Sequence, residues 1–317
     1  MKTLLSLSLV LLLPLMAHAT TVTSCQRPLH IEHPPQRVVS HDLTLTAMLL
    51  ELGLRRNMVG YSGVSGWKML TPELAQQLAG IAELAPRNVP LEKLLEVRAD
   101  FFFAGWNYGM SVGGEVTPAS LEAFGIPVYE LSESCGFIMP GREASLDYLY
   151  TDLRNLGRIF AVEKRAEALV QQTQARVAAV RAHLPQGVTA PRVFLYDSGT
   201  DRPFTAGRQA MPQALIAAAG GRNVMQDIDA SWTAVNWEAV VERDPEVIVI
   251  VDYGPQSAAQ KREFLLAHPA LQTVTAIRER RFVVWSYLDA TPSLNNAGAI
   301  ETLARALYPQ AFADAGS

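Results

Sequence analysis

The strongest constraint on how this chain folds is a stretch that occurs twice. Residues 89–103, VPLEKLLEVRADFFF, align without a gap on residues 235–249, VNWEAVVERDPEVIV. In both copies Glu92/Glu238 and Glu96/Glu242 coincide, and an acidic residue, Asp100 or Glu246, immediately precedes an uninterrupted apolar run. Each copy reads as a short helix feeding a buried strand, a unit that cannot cover its own apolar surface. Two copies this far apart predict two related α/β lobes.

Between them lies residues 162–184, VEKRAEALVQQTQARVAAVRAHL, without Gly or Pro and followed by Pro185 and Gly187. Val162, Ala166, Leu169, Val170, Val177, Val180 and Leu184 recur at the helical period, and Lys164, Arg165, Gln171, Gln172, Arg176 and Arg181 fill the rest of the circumference. A helix this long spans roughly 35 Å, the width of a small domain, and reads as a rigid strut. The predicted organisation is a leader at 1–19, an N-terminal lobe at 20–161, the strut at 162–184 and a C-terminal lobe at 185–317.

In both lobes strands alternate with helices, which predicts parallel sheets covered on both faces, in the manner of Rossmann folds. Ligands of such sheets bind beyond the carboxyl ends of the strands. The loops there supply His41, Trp67, Lys68, Trp106, Asn107, Tyr108 and Glu133 from the first lobe. Asp197, Arg202, Arg208, Trp232, Tyr253, Trp285 and Tyr287 come from the second. Aromatic faces suit a large ligand with flat or apolar parts, and Arg or Lys would pair with negative charge on it. The residues favoured as ligand contacts are Trp67, Trp106, Tyr108, Arg202, Arg208, Trp232, Tyr253 and Tyr287.

Lys2, the apolar run from Leu4 to Leu15 and Ala17-His18-Ala19 form a cleavable secretory signal, with cleavage expected near Ala19 and a periplasmic destination. The run is shorter than the about 20 residues of a membrane span. The net charge of −4, with no basic tract, argues against nucleic acid as a partner. Cys25 and Cys135 could pair in an oxidising compartment, although sequence alone does not show that they meet.

With these features in place, nearly the whole mature chain resembles the class III periplasmic substrate-binding proteins of ABC importers, which deliver ferric siderophores, haem and cobalamin. Pro35-Gln36-Arg37-Val38-Val39-Ser40 resembles the family's P-x-R-I-V-S strand, and residues 89–103 its helix and following strand. Residues 205–224, from Thr205-Ala206-Gly207 to Ala219-Gly220-Gly221-Arg222-Asn223-Val224, are similar to its T-A-G…L-I-x-x-A-G-G-x-N-V signature. The resemblance implies that Glu92 and Glu238 dock onto Arg residues of a two-fold symmetric inner-membrane permease, which works with an ATPase. It also implies a monomeric carrier without intrinsic cofactor whose cargo is an iron chelate, a ferric siderophore first and haem or cobalamin second.

Other readings carry less. A direct metal binder needs several converging His and carboxylates. Only His41 is well placed, and it could equally stack on a ligand or cap the following helix. Tyr61, Tyr108 or Tyr253 would serve as a haem ligand. An enzyme, the runner-up class, lacks support: there is no phosphate loop or nucleophile elbow, and adjacent Ser40-His41-Asp42 cannot form a triad. A metal-dependent two-domain enzyme would usually need a Cys-rich cluster site, which the chain lacks.

Overall fold

The computed structural model describes residues 19–67, 70–139 and 141–313. The leader, apart from Ala19, and the candidate Lys68 therefore lie outside the described residues. The first sheet is parallel and centred on Val38–His41, which pairs with Met58–Ser62 on one side and Phe101–Trp106 on the other. Ala82–Ala85 extends one edge, and Val128–Glu130 pairs with the far side of Phe101–Trp106. The second sheet is also parallel, in the order Arg222–Asn223, Arg192–Tyr196, Val247–Asp252, Phe282–Ser286.

Alternation along the repeated strands explains how the lobes join. Phe101 and Phe103 enter one apolar core while Phe102 and Ala104 enter another on the opposite face. In the second copy Val247, Val249 and Val251 enter the first of these cores, and Ile248 and Ile250 a third. The inner faces of both sheets thus share one continuous core. The strut helix, Glu163–His183, contributes Ala166, Val170, Val177 and Val180 to it and packs against the helices Leu146–Ile159 and Asn296–Leu307. Thr173 also lies in the buried stripe, its hydroxyl satisfied by Leu169 O at 2.8 Å. The expected strut is present between the lobes, and the lobes also adhere directly, through the shared core.

Several elements escaped the sequence reading. The N-terminal arm is a hairpin, Thr20–Ser24 with Arg27–Ile31, turned at Cys25 and Gln26, both at positive φ. Cys25 and Cys135 form a disulfide with a Cα–Cα distance of 5.4 Å, and Ser24 and Arg27 both bond the Glu130 carboxylate. The region after Trp67 holds the helix Pro72–Leu78 as well as the strand Ala82–Ala85. A two-stranded antiparallel ribbon, Phe204–Ala206 with Trp232–Ala234, lies outside the ladder of the second sheet and is tied to it by Asp197 N to Phe204 O at 3.0 Å and Thr205 Oγ1 to Leu195 O at 2.7 Å, and Tyr287–Ala290 is helical rather than loop.

Candidate functional site

Parallel strands in both lobes end at a common crevice. Val38–His41 stops there, and Asp42, at positive φ, caps the helix Leu43–Glu51 by accepting the Thr44 amide proton at 3.0 Å. The other oxygen of Asp42 accepts from the Tyr287 hydroxyl of the opposite lobe at 2.8 Å, both residues being buried. Nearby, Thr44 donates to Pro292 O across the same boundary. Phe101–Trp106 ends in a tight turn that needs positive φ at Asn107 and Gly109, and the turn presents Tyr108. The Tyr108 hydroxyl accepts from Trp232 Nε1 at 3.2 Å, a second side-chain bond between the lobes.

From the second sheet, Arg192–Tyr196 delivers Asp197, which accepts from the Tyr253 hydroxyl at 2.7 Å and from Ser198 at 2.8 Å. Tyr253 and Tyr287 meet with ring centroids 5.3 Å apart, and Trp232 stacks on Phe204 at 6.2 Å. Behind Tyr253 the buried Lys261 ammonium donates to Val251 O and Tyr253 O and lies 4.8 Å from the Tyr253 ring centroid. Burial pushes the Tyr108, Tyr253 and Tyr287 hydroxyls well above the usual phenol range, with added repulsion from Glu133 and Asp42 at Tyr108, from Asp197 at Tyr253 and from Asp42 at Tyr287. All three act as neutral phenols.

Together Asp42, Asn107, Tyr108, Phe137, Asp197, Phe204, Trp232, Tyr253, Tyr287 and Thr291 line a cavity of about 210 Å³ between the lobes. Of the eight favoured ligand contacts, Tyr108, Trp232, Tyr253 and Tyr287 line it. Trp67 stands outside it, 44% exposed under the Arg87 guanidinium at 4.2 Å. Its backbone oxygen lies 4.0 Å from where a side chain on Gly254 would begin, so its loop faces the Tyr253 loop. Trp106 turns away and donates to Glu130 at 2.8 Å beneath the N-terminal hairpin. Arg202 donates to Ala234 O, and Arg208 pairs with Asp229 at 2.9 Å. Trp285 is fully buried.

His41 is held between Gly63 and Gly109, where an added Cβ would come within 2.5 Å of its ring, and its Nδ1 meets Ser62 Oγ at 2.9 Å. Its placement is that of a packed core imidazole. Sequence reasoning overlooked Asp42, Phe137, Phe204 and Thr291. Asp42 was the findable one, sitting between a strand and a helix where caps and crevice residues coincide.

Glu92 and Glu238 are exposed in the first turns of Leu91–Glu96 and Trp237–Arg243. Helices that run back along a parallel sheet begin at its carboxyl edge, so both glutamates belong to the crevice side of their lobes.

Residues 38–287 match the family model described as periplasmic binding protein. The chain belongs to that family. The vitamin B12-binding protein of Pectobacterium carotovorum is 26% identical over 243 residues, 76% of this chain and 80% of the relative. A periplasmic binding protein from Veillonella parvula superposes with a TM-score of 0.79 at 25% identity, covering 92% of this chain and 98% of that one. An ABC-type Fe3+-hydroxamate transport protein from Saccharomonospora viridis gives 0.77 at 22% identity, covering 90% and 98%. The chain is thus a periplasmic binding protein of the ABC-importer kind, and the aromatic cavity lies between its two lobes.

Proposed function

We propose that this protein is exported by its leader, captures a metal chelate in the crevice and presents it to an inner-membrane ABC permease. The observation that carries the reading is the lining itself: Tyr108, Phe137, Phe204, Trp232, Tyr253 and Tyr287 converge from both lobes on one cavity. Stacking and phenol hydrogen bonds suit a broad, metal-bound organic scaffold better than a bare ion. The arginines expected to pair with an anionic cargo are engaged elsewhere, with Asp229 and with Ala234 O. Among the described residues this lining favours a chelate without a large negative charge. A corrinoid is the first reading, supported by the relatives named vitamin B12-binding proteins, and a ferric siderophore of the trihydroxamate kind is the second. The protein is read as a monomeric carrier and not an enzyme.

Fluorescence titration of the mature protein with cyanocobalamin, a ferric trihydroxamate, a ferric tricatecholate and haemin tests this. Saturable quenching by one of the first two is expected, with little response to the tricatecholate. Indifference to all four overturns the ligand reading.

Delivery is assigned to Glu92 and Glu238. Arg–carboxylate contacts are directional, and one exposed glutamate on each of two related lobes matches a two-fold partner. Replacing both with Ala should leave chelate affinity unchanged and abolish uptake in cells; persistent uptake would leave them as ordinary carboxylates at helix N-termini.

A further inference from the structure

The cavity is small for its proposed cargo. Ligand pockets for drug-sized molecules run to roughly 300–1,000 Å³, and a corrinoid or siderophore chelate is at least that large. The space here is about 210 Å³, and side chains from both lobes cross it. Among the described residues two side-chain pairs lining the cavity bond across it, Tyr287 to Asp42 and Trp232 to Tyr108. They differ in what holds them. Tyr287 opens a helix that is continuous with a strand of the second sheet, and Asp42 is tied into the cap of the helix Leu43–Glu51, so that pair forms the crevice floor. Trp232 instead belongs to the outer strand of the ribbon, which pairs over only three residues with Phe204–Ala206 and is half-exposed at Trp232 and Thr233, whereas Phe204–Ala206 itself is anchored to the second sheet through Asp197 N to Phe204 O at 3.0 Å and Thr205 Oγ1 to Leu195 O at 2.7 Å. A three-residue edge strand with a single neighbour is a weak element and moves at low cost. Tyr108 in turn sits on a turn built from two positive-φ residues.

We infer that Tyr108 and Trp232 form a latch: their hydrogen bond holds the ligand-free crevice shut, and a chelate is admitted when the outer strand carries Trp232 off Tyr108, leaving the indole free to meet the ligand. The inference rests on the chelate-carrier reading for its second half only. A single neutral hydrogen bond biases such an equilibrium by about 2- to 10-fold, enough to slow admission without preventing it. Because apparent affinity scales with the fraction of protein that is open, weakening the latch should raise both the association rate and the affinity. Loss of an ordinary structural bond would do neither.

Tyr108→Phe, which keeps the ring and deletes the hydroxyl, is the clean variant. In stopped-flow mixing with cyanocobalamin or a ferric trihydroxamate it should associate about 2- to 10-fold faster and bind tighter by a similar factor. Trp232→Phe should also associate faster, and the double variant no faster than either single one, because both remove the same bond. A second measurement needs no ligand. With 5-fluorotryptophan the protein's five tryptophans give five 19F resonances, and the one lost in Trp232→Phe reports the latch. Tyr108→Phe should shift and broaden that resonance and leave the other four in place. An unchanged Trp232 resonance overturns the latch, as does an association rate that stays the same or falls. If none of the chelates binds, the carrier reading fails and the 19F spectrum alone decides whether the lobes are latched.

Discussion

Tyr253 shows how much of the crevice depends on single polar atoms. Its hydroxyl donates at 2.7 Å to the buried Asp197 carboxylate, and Phe in its place would leave that carboxylate one donor short. Tyr253→Phe should destabilise the protein by about 1–3 kcal/mol, read as a lower urea midpoint with an unchanged slope; a midpoint within error of the parent would mean that water replaces the phenol. Glu133 carries part of the pH dependence. One of its oxygens accepts the Met211 amide proton from the opposite lobe at 3.0 Å, and the other is buried without a partner. Burial pushes its carboxyl from the ordinary 4.5 up to about 7, Asp152 adds repulsion, and the Met211 amide opposes both. An acid raised in the folded state favours folding below its unfolded value and withdraws that contribution as pH rises through the folded one. The thermal midpoint should therefore fall as pH climbs from about 4.5 to about 7. Asp152, also raised to about 7, contributes in the same sense, so Glu133→Gln should make the fall shallower without removing it. Equal slopes in parent and variant would reject the assignment. Four of the aromatics expected near strand ends, Tyr108, Trp232, Tyr253 and Tyr287, line one cavity, because segments that follow parallel strands gather at the carboxyl edge of the sheet. Trp106 and Arg208 lie outside that cavity, on Glu130 and Asp229, partners 24 and 21 residues away that have no marker in the chain.

Among elements, the repeat and the strut were legible because each has a strong period, and the boundaries differ from expectation by a residue or two. The N-terminal hairpin and the ribbon were not, since strands of three to five residues with mixed polarity carry no clear alternation. What fixes the hairpin is tertiary: Ser24 and Arg27 on Glu130, and the Cys25–Cys135 bond. That bond closes a separation of 110 residues, and a loop of that size corresponds to about 4–5 kcal/mol in the chain-entropy model. Cys25→Ser with Cys135→Ser should lower stability by about 2–5 kcal/mol while sparing chelate affinity, because neither residue lines the cavity. Loss of affinity in the folded double variant would show that the hairpin supports the crevice after all.

At the scale of the whole molecule the question is what keeps the lobes in register. A helix with the strut's regularity resists bending, yet the inner faces of both sheets also contribute to one apolar core, from Phe101 and Phe103 on one side to Val247, Val249 and Val251 on the other. A shared core of this kind penalises wide lobe rotation independently of helix stiffness, because opening it exposes apolar surface at about 25 cal/mol per Å². Scattering profiles of the ligand-free and loaded protein should therefore nearly superpose, with admission handled by the ribbon and its latch and not by lobe closure. Helix and core are separable. Gln174 and Ala175 are exposed positions in the middle of the strut, and Gly at both should cost about 2 kcal/mol by loosening the helix alone. If the core sets the geometry, this variant loses thermal stability yet gives the same pair of superposing profiles. A large compaction on loading, in the variant but not in the parent, would return the rigidity to the helix.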